Sequence, residues 1–102
     1  MRLREVIEEA HRTAYKHGFW DERDRTTAIL LIHTELAEAV QELRNGNRQK
    51  YLTELADTFI RLTDLMGYEE LEEKDLNIDF IQIIKDKMTY NKTREYKHGK
   101  KF

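Results

Sequence analysis

Two short acidic motifs carry the clearest chemistry in this 102-residue chain. Glu35-Leu-Ala-Glu38 and Glu54-Leu-Ala-Asp57 are near copies, and each motif separates its two acids by three residues. On a helix this spacing puts both carboxylates on one face, about a turn apart. Like charges about 4 Å apart repel by roughly 4 kcal/mol at an effective dielectric of 20. If the two motifs converge, a bound cation is therefore needed to make the crowding tolerable.

The type of ligand indicates the type of cation. An all-carboxylate site favours a hard dication, meaning Mg²⁺, Mn²⁺ or Ca²⁺, over zinc. Mg²⁺ combines a few carboxylates with water and substrate phosphates, which suits a phosphate-cleaving site. The alternative is a solvated helix face, which is common in a chain with 20 acids. The Leu-Ala pair inside each motif puts the acids at the border of an apolar stripe, which favours the metal site.

Apolar residues at helical spacing predict the elements that position these motifs. Four helices are expected, over approximately residues 2–17, 26–44, 48–66 and from Asn77 or Asp79 to Asn91. The glycines that follow the first three, where a left-handed cap favours this residue, are Gly18, Gly46 and Gly67. The short turn at Gly46 predicts that the two acidic helices pack antiparallel. We therefore predict an all-α antiparallel bundle of about four helices with a basic C-terminal tail, forming one domain over residues 1–102.

Charge is unevenly distributed along the chain. Residues 85–102 contain seven Lys or Arg and two acids, so this segment carries +5 and the remainder carries −7 of the total of −2. A basic tail on an acidic body predicts contact with a polyanion, either nucleic acid or a nucleoside triphosphate.

The composition indicates where the protein is expected to reside and whether it is expected to self-associate. There is no cysteine, no apolar run of the roughly 20 residues that a membrane span needs, and no signal-peptide pattern at the charged start, so we expect a cytoplasmic protein without membrane contact. Charged residues make up 37% and apolar residues 39% of the chain, which predicts a thin core and self-association.

The order and spacing of these motifs resemble the all-α nucleotide pyrophosphohydrolases, which include the MazG-like proteins and the dimeric dUTPase-type enzymes. The run Glu54–Leu65 is similar to that superfamily's ELAD-xx-IR-xx-DL stretch, and residues 87–102 look like the ending of many MazG-like domains. The resemblance covers the chain from about Leu3 to its end.

The resemblance implies a function. Glu35, Glu38, Glu54 and Asp57 would bind Mg²⁺, with Mn²⁺ as a possible substitute, and the reaction would convert a (d)NTP to a (d)NMP and pyrophosphate. A water activated by the metal and by Glu38 would attack the α-phosphorus. Related single-domain proteins assemble as dimers or tetramers, so we expect a homo-oligomer, preferably a tetramer.

The resemblance also implies residues for the rest of the nucleotide. The expected phosphate-binding residues are Lys87, Asn91, Lys92 and Arg94, with Lys97, His98, Lys100 and Lys101 as weaker candidates. The alternatives for this tail are a frayed end or a nonspecific nucleic-acid arm.

For the nucleobase, Trp20 is a candidate stacking residue, and the alternative is that Trp20 and Phe19 close the end of the core. Asp64 shares the helix face of Asp57, where it either supports the metal ligands or pairs with Arg61. Three of the four histidines, His11, His17 and His33, lack zinc-site spacing and are expected to be structural.

A rival hypothesis from another class is a noncatalytic helical module that binds a nucleotide or a partner protein on the same scaffold. A nucleic-acid-binding helical protein is a second rival, which we consider less favoured.

Overall fold

The four long elements in the described part of the chain are all α-helices. The computed structural model describes residues 1–72 and 76–94, and within these ranges there is no strand. The helices are α1 (Leu3–Lys16), α2 (Arg25–Arg44), α3 (Arg48–Glu72) and α4 (Phe80–Lys92). The all-α prediction with four helices is confirmed, whereas membership of the MazG-like type stays a prediction.

Polar side chains fix where two of the helices begin. The Asp24 carboxylate accepts a hydrogen bond from the backbone N–H of Thr27 at 2.8 Å, and this bond lowers the pKa of Asp24 below its usual range. Asp79 accepts from the backbone N–H groups of Ile81 and Gln82 at the start of α4. Both aspartates therefore satisfy N–H groups that have no partner inside the first turn of a helix.

Two glycines end helices, and a third does not. Gly18 and Gly46 adopt φ angles of +78° and +74°, the left-handed conformation expected at a helix end. The prediction that α3 ends before Gly67 was wrong, because α3 continues to Glu72. A Cβ atom at position 67 would lie 2.6 Å from the Cβ of His11. Gly67 is therefore the residue that lets α1 approach α3 closely.

α3 is the central helix, and both α1 and α2 pack along it. On α2, Arg25 contacts Glu69 and Glu35 contacts Arg61, so positions further along α2 meet earlier positions of α3. α4 shares in neither of these two interfaces. It is attached at its start, where Glu70 accepts a hydrogen bond from the backbone N–H of Phe80 at 2.8 Å.

The buried core is small, as the composition predicts. In the part of the chain that the structure describes, the buried apolar residues are Ile7, Ala14, Trp20, Ala28 and Ala39. Three of these five are alanines, so burial contributes little apolar area per residue. Among residues 1–72 and 76–94, no helix has the length and apolar character that a membrane crossing requires.

Candidate metal site and adjoining cavity

Three of the four predicted metal ligands come together where α2 packs on α3. Glu35, Glu38 and Glu54 each have a carboxylate oxygen within 4.8 Å of the corresponding atoms of the other two. Glu35 and Glu54 are half-buried and Glu38 is exposed. The i,i+3 spacing on α2 and the short connection through Gly46 account for this convergence. We call these three residues the acidic cluster.

Asp57, the fourth predicted ligand, lies one turn after Glu54 and outside the group of three. Its negative charge is close enough to help raise the pKa of Glu54. Asp57 also lines a cavity that adjoins the acidic cluster.

Glu54 is the most perturbed acid of the site. Its pKa is raised from 4.5 to about 7, first by a hydrogen bond in which Glu54 and Glu35 share a proton, then by burial, and then by the charges of Glu35, Glu38 and Asp57. Its Oε2 atom is buried and has no hydrogen-bond partner among the described residues. A buried carboxylate oxygen without a partner is costly, so this atom requires a proton or a cation.

Arg61 partly offsets the negative charge of the acidic cluster. Its Nε atom donates to the Oε1 atom of Glu35 at 3.0 Å. This bond fixes the orientation of Glu35. It does not compensate the negative charges of Glu38 and Asp57. Three oxygen donors with an unsatisfied buried atom fit a hard dication such as Mg²⁺ or Mn²⁺.

A cavity of about 520 Å³ adjoins the acidic cluster. Glu35, Asp57, Ile60, Arg61 and Asp64 line it from α2 and α3. The facing wall is mainly apolar and comes from α1 and the turn after it, with Val6, Ala10, Ala14 and Phe19. This volume is within the range of small-molecule sites, and the mixture of apolar walls with a few polar groups is typical of them.

Asp64 has neither of the neighbours that its spacing suggested. The expected ion pair with Arg61 is not formed in the described residues, because Arg61 donates to Glu35. Asp64 is buried, and its Oδ1 atom accepts hydrogen bonds from His11 Nδ1 and Trp20 Nε1, both at 2.9 Å. His11, which we expected to be structural, is thus one of the two donors to the Oδ1 atom of this acid.

Trp20 lies in the core. The residue is 9% exposed, and its ring stacks on that of Tyr68 with 4.1 Å between ring centroids. This placement agrees with the alternative in which Trp20 closes the end of the core. Its neighbour Phe19 is half exposed and lines the cavity.

The predicted phosphate-binding residues lie on α4 and just after it. Lys87 Nζ is 4.7 Å and Arg94 Cζ is 5.6 Å from the ring centroid of Tyr90, so two of the cations share one aromatic ring. Asn91 has a buried Oδ1 atom without a partner among the described residues, and Lys92 is exposed in the last turn. None of the four lines the cavity. The weaker candidates Lys97, His98, Lys100 and Lys101 lie outside the described residues.

Besides the donors to Asp64, two features of the site were not predicted from the sequence. One is the Arg61–Glu35 contact, for which the signal is the position of Arg61 one turn beyond Asp57 on the same face. The other is the placement of Phe19 on the cavity instead of Trp20. The loop residues after α1 carry no periodicity, so the sequence offers no signal for which of the two adjacent rings turns inward.

Comparison with known proteins yields no match: no family profile fits the chain, and neither the curated proteins nor the solved structures include a significant relative.

Proposed function

We propose that this protein is a Mg²⁺-dependent nucleoside triphosphate pyrophosphohydrolase that converts a (d)NTP to a (d)NMP and pyrophosphate. The observation that carries the proposal is the convergence of Glu35, Glu38 and Glu54 within 4.8 Å beside a cavity of about 520 Å³. Folding brings these acids together although they repel one another, and Glu54 keeps an unsatisfied oxygen there. A site that binds a dication together with substrate phosphates offsets this cost.

The acids and Arg61 have different roles in the proposed reaction. Glu35, Glu38, Glu54 and Asp57 hold the dication. Once bound, Mg²⁺ offsets the charge of the phosphate oxygens and makes a coordinated water more acidic. Glu38 is the exposed member of the acidic cluster, which suits a base that takes a proton from the attacking water. Arg61 fixes the direction of Glu35 through their hydrogen bond.

Cations bind the phosphate chain in this proposal. Lys87, Lys92 and Arg94 supply positive charge, and Asn91 supplies an amide donor. The base lies in the cavity between α1 and α3, where Phe19 provides an exposed aromatic surface. Trp20 does not stack on the base in this proposal, because its ring is buried against Tyr68.

The proposal is tested by incubating the protein with a panel of canonical and modified (d)NTPs and Mg²⁺, and identifying the products. We expect a monophosphate and pyrophosphate in equal amounts. Glu38→Gln and Glu54→Gln should each lower kcat by about 100-fold or more, since each removes a carboxylate that acts on the reacting groups. Glu5→Gln, an exposed acid on α1, is the matched control.

The products also separate this proposal from its rivals. Release of diphosphate and inorganic phosphate would mean cleavage at the γ-phosphate. If both glutamine variants retain a rate within a few-fold of the parent, the proposed metal site is wrong. A noncatalytic module would bind nucleotide or a partner without turnover, and a nucleic-acid arm would show DNA affinity that falls steeply with salt.

The exposed apolar surface supports the expected homo-oligomer. α2 presents Leu36, Val40 and Leu43 on one face, and α3 presents a second stripe. The stripe on α3 consists of Leu52, Leu55, Phe59 and Leu62. These seven side chains are between 38% and 54% exposed. Large apolar side chains exposed in groups commonly mark a protein–protein interaction surface. We include a dimer or tetramer in the cytoplasm as part of the proposal.

Val40→Glu tests this assembly. A buried, unpaired carboxylate in the subunit contact should shift the protein toward monomer, because desolvation of the charge is not repaid. Light scattering at micromolar concentration measures the mass, with Gln41→Glu as the matched control on the polar side of α2. A wild-type protein that is monomeric under these conditions contradicts the proposed assembly.

A further inference from the structure

Asp57 and Asp64 mark two positions along the cavity wall formed by α3. They are seven residues apart on the same face, about 10.5 Å along a helix that rises 1.5 Å per residue. Both line the cavity, Asp57 beside the acidic cluster and Asp64 two turns further along. This separation is comparable to that between the α-phosphate and the far edge of the base in a nucleotide. A nucleotide with its phosphates at the acidic cluster therefore brings its base to Asp64.

Asp64 is nine-tenths buried yet keeps hydrogen-bonding capacity. Its residue exposure is 6%, and its Oδ1 atom accepts from His11 and Trp20. No hydrogen bond to its Oδ2 atom is formed by residues 1–72 or 76–94. An ionised carboxylate only accepts hydrogen bonds, so the remaining capacity of Asp64 is that of an acceptor.

The rest of the cavity wall also favours a ligand that donates hydrogen bonds. Its other acids, Glu9, Glu35 and Asp57, are also acceptors when ionised, and the Arg61 side chain in the same wall already donates to Glu35. The wall from α1 is apolar at Val6 and Ala10. A flat ring with an N–H group directed at Asp64 can donate a hydrogen bond to its carboxylate. A ring with an oxygen at that point would instead place two acceptor oxygens against each other.

We propose that Asp64 is a specificity-determining residue that selects nucleotides whose base carries an amino group. The inference rests on the proposed function and extends it by naming the substrate class. Cytosine and adenine present an amino group where uracil and hypoxanthine present a carbonyl oxygen. A hydrogen bond to a charged, buried acceptor discriminates strongly, since the wrong base leaves that acceptor facing an oxygen.

The test compares substrates that differ only in this group. We expect kcat/KM with Mg²⁺ to be about 10- to 100-fold higher for dCTP than for dUTP, and for dATP than for dITP. In Asp64→Asn, the amide oxygen can accept from His11 and Trp20 while the amide N–H₂ group faces the cavity. This variant should therefore lose the preference or reverse it toward dUTP and dITP. Glu5→Gln should keep the wild-type preference.

Binding without turnover distinguishes failure of this inference from failure of the proposed function. Calorimetry with α,β-methylene-dCTP and α,β-methylene-dUTP in Mg²⁺ should show the same preference in the wild-type protein. If this preference holds although no triphosphate is hydrolysed, the inference stands and the proposed reaction fails. Equal binding of both analogues, or binding of neither, overturns the inference. An Asp64→Asn protein that is folded by circular dichroism and keeps the wild-type preference also overturns it.

Discussion

Glu54 and Asp64 are acids on the same helix, and their surroundings are opposite. Asp64 faces α1, where two N–H groups donate to one of its oxygens. Glu54 faces α2, where its nearest polar neighbours are other carboxylates and its Oε2 atom has no partner in the described residues. The fold therefore supplies donors to one oxygen of Asp64, whereas no described residue supplies a partner for the Oε2 atom of Glu54. This comparison separates an acid that the fold holds in place from an acid that requires a proton or a cation.

The two sides of α3 also differ in packing. On the α1 side, Gly67 allows the backbone of α3 to lie against His11 and the carbonyl oxygen of Ile7. Away from this contact, apolar side chains such as Phe59 on α3 and Val40 on α2 remain about half exposed. Tightly packed and exposed positions therefore share one helix, so substitutions of similar size should have different effects at the two kinds of position.

Gly67→Ala should give the larger effect on stability. Alanine favours a helix over glycine by about 1 kcal/mol, but overpacking costs about 1–3 kcal/mol. The added Cβ atom would lie 2.6 Å from the Cβ of His11 and 3.2 Å from a backbone oxygen, so the backbone itself must move. We expect a net loss of up to about 2 kcal/mol in the free energy of unfolding, measured by urea denaturation.

Ala56→Leu is the control for that measurement. Ala56 is exposed on the same helix, so its enlargement should change the free energy of unfolding by less than about 0.5 kcal/mol. Equal losses in the two variants would mean that the close approach of α1 at Gly67 is not the cause of the destabilisation.

The pH dependence of the metal-free protein should show a smaller effect. Because the folded protein raises the pKa of Glu54 from 4.5 to about 7, the folded state binds the proton more tightly than the unfolded state does. The resulting stabilisation is complete below the unfolded pKa and is lost as the pH rises through about 7. Between about pH 5 and pH 8, the Tm of the wild-type protein should fall relative to that of Glu54→Gln.

Mg²⁺ sharpens the same experiment. A dication should restore the Tm of the wild-type protein at high pH and have little effect at low pH, where the proton occupies the site. Glu54→Gln should show a weak response at either pH. If the melting curves of the wild-type protein and this variant shift in parallel with pH and with Mg²⁺, the carboxylates of the acidic cluster do not repel one another as described.

Much of the fold was predictable, because it depends on local patterns. Apolar spacing predicted four helices, and the observed starts of α2 and α3 agree with the prediction to within one residue. The end of α3 was predicted wrongly at Gly67, because a glycine that ends a helix and one that admits a neighbouring helix look the same in a sequence. Only the position of His11 on another helix distinguishes them.

The site was predictable in part for the same reason. The i,i+3 spacing anticipates that Glu35 and Glu38 share a face, and the short turn anticipates that α3 brings Glu54 to them. The donors to Asp64 come from α1 and from the turn after it, more than 40 residues away. No local pattern carries that information, and the sequence therefore suggested Arg61 as the partner.

Gly67 has a consequence for ligand size. It touches α1 at His11, whereas Ala10 and Ala14 of the same helix form part of the cavity wall. Because α1 is one continuous helix, its separation from α3 at position 67 also affects the width of the cavity further along α1. The absence of a side chain at position 67, which lies outside the cavity, thus limits how thick a bound ligand can be.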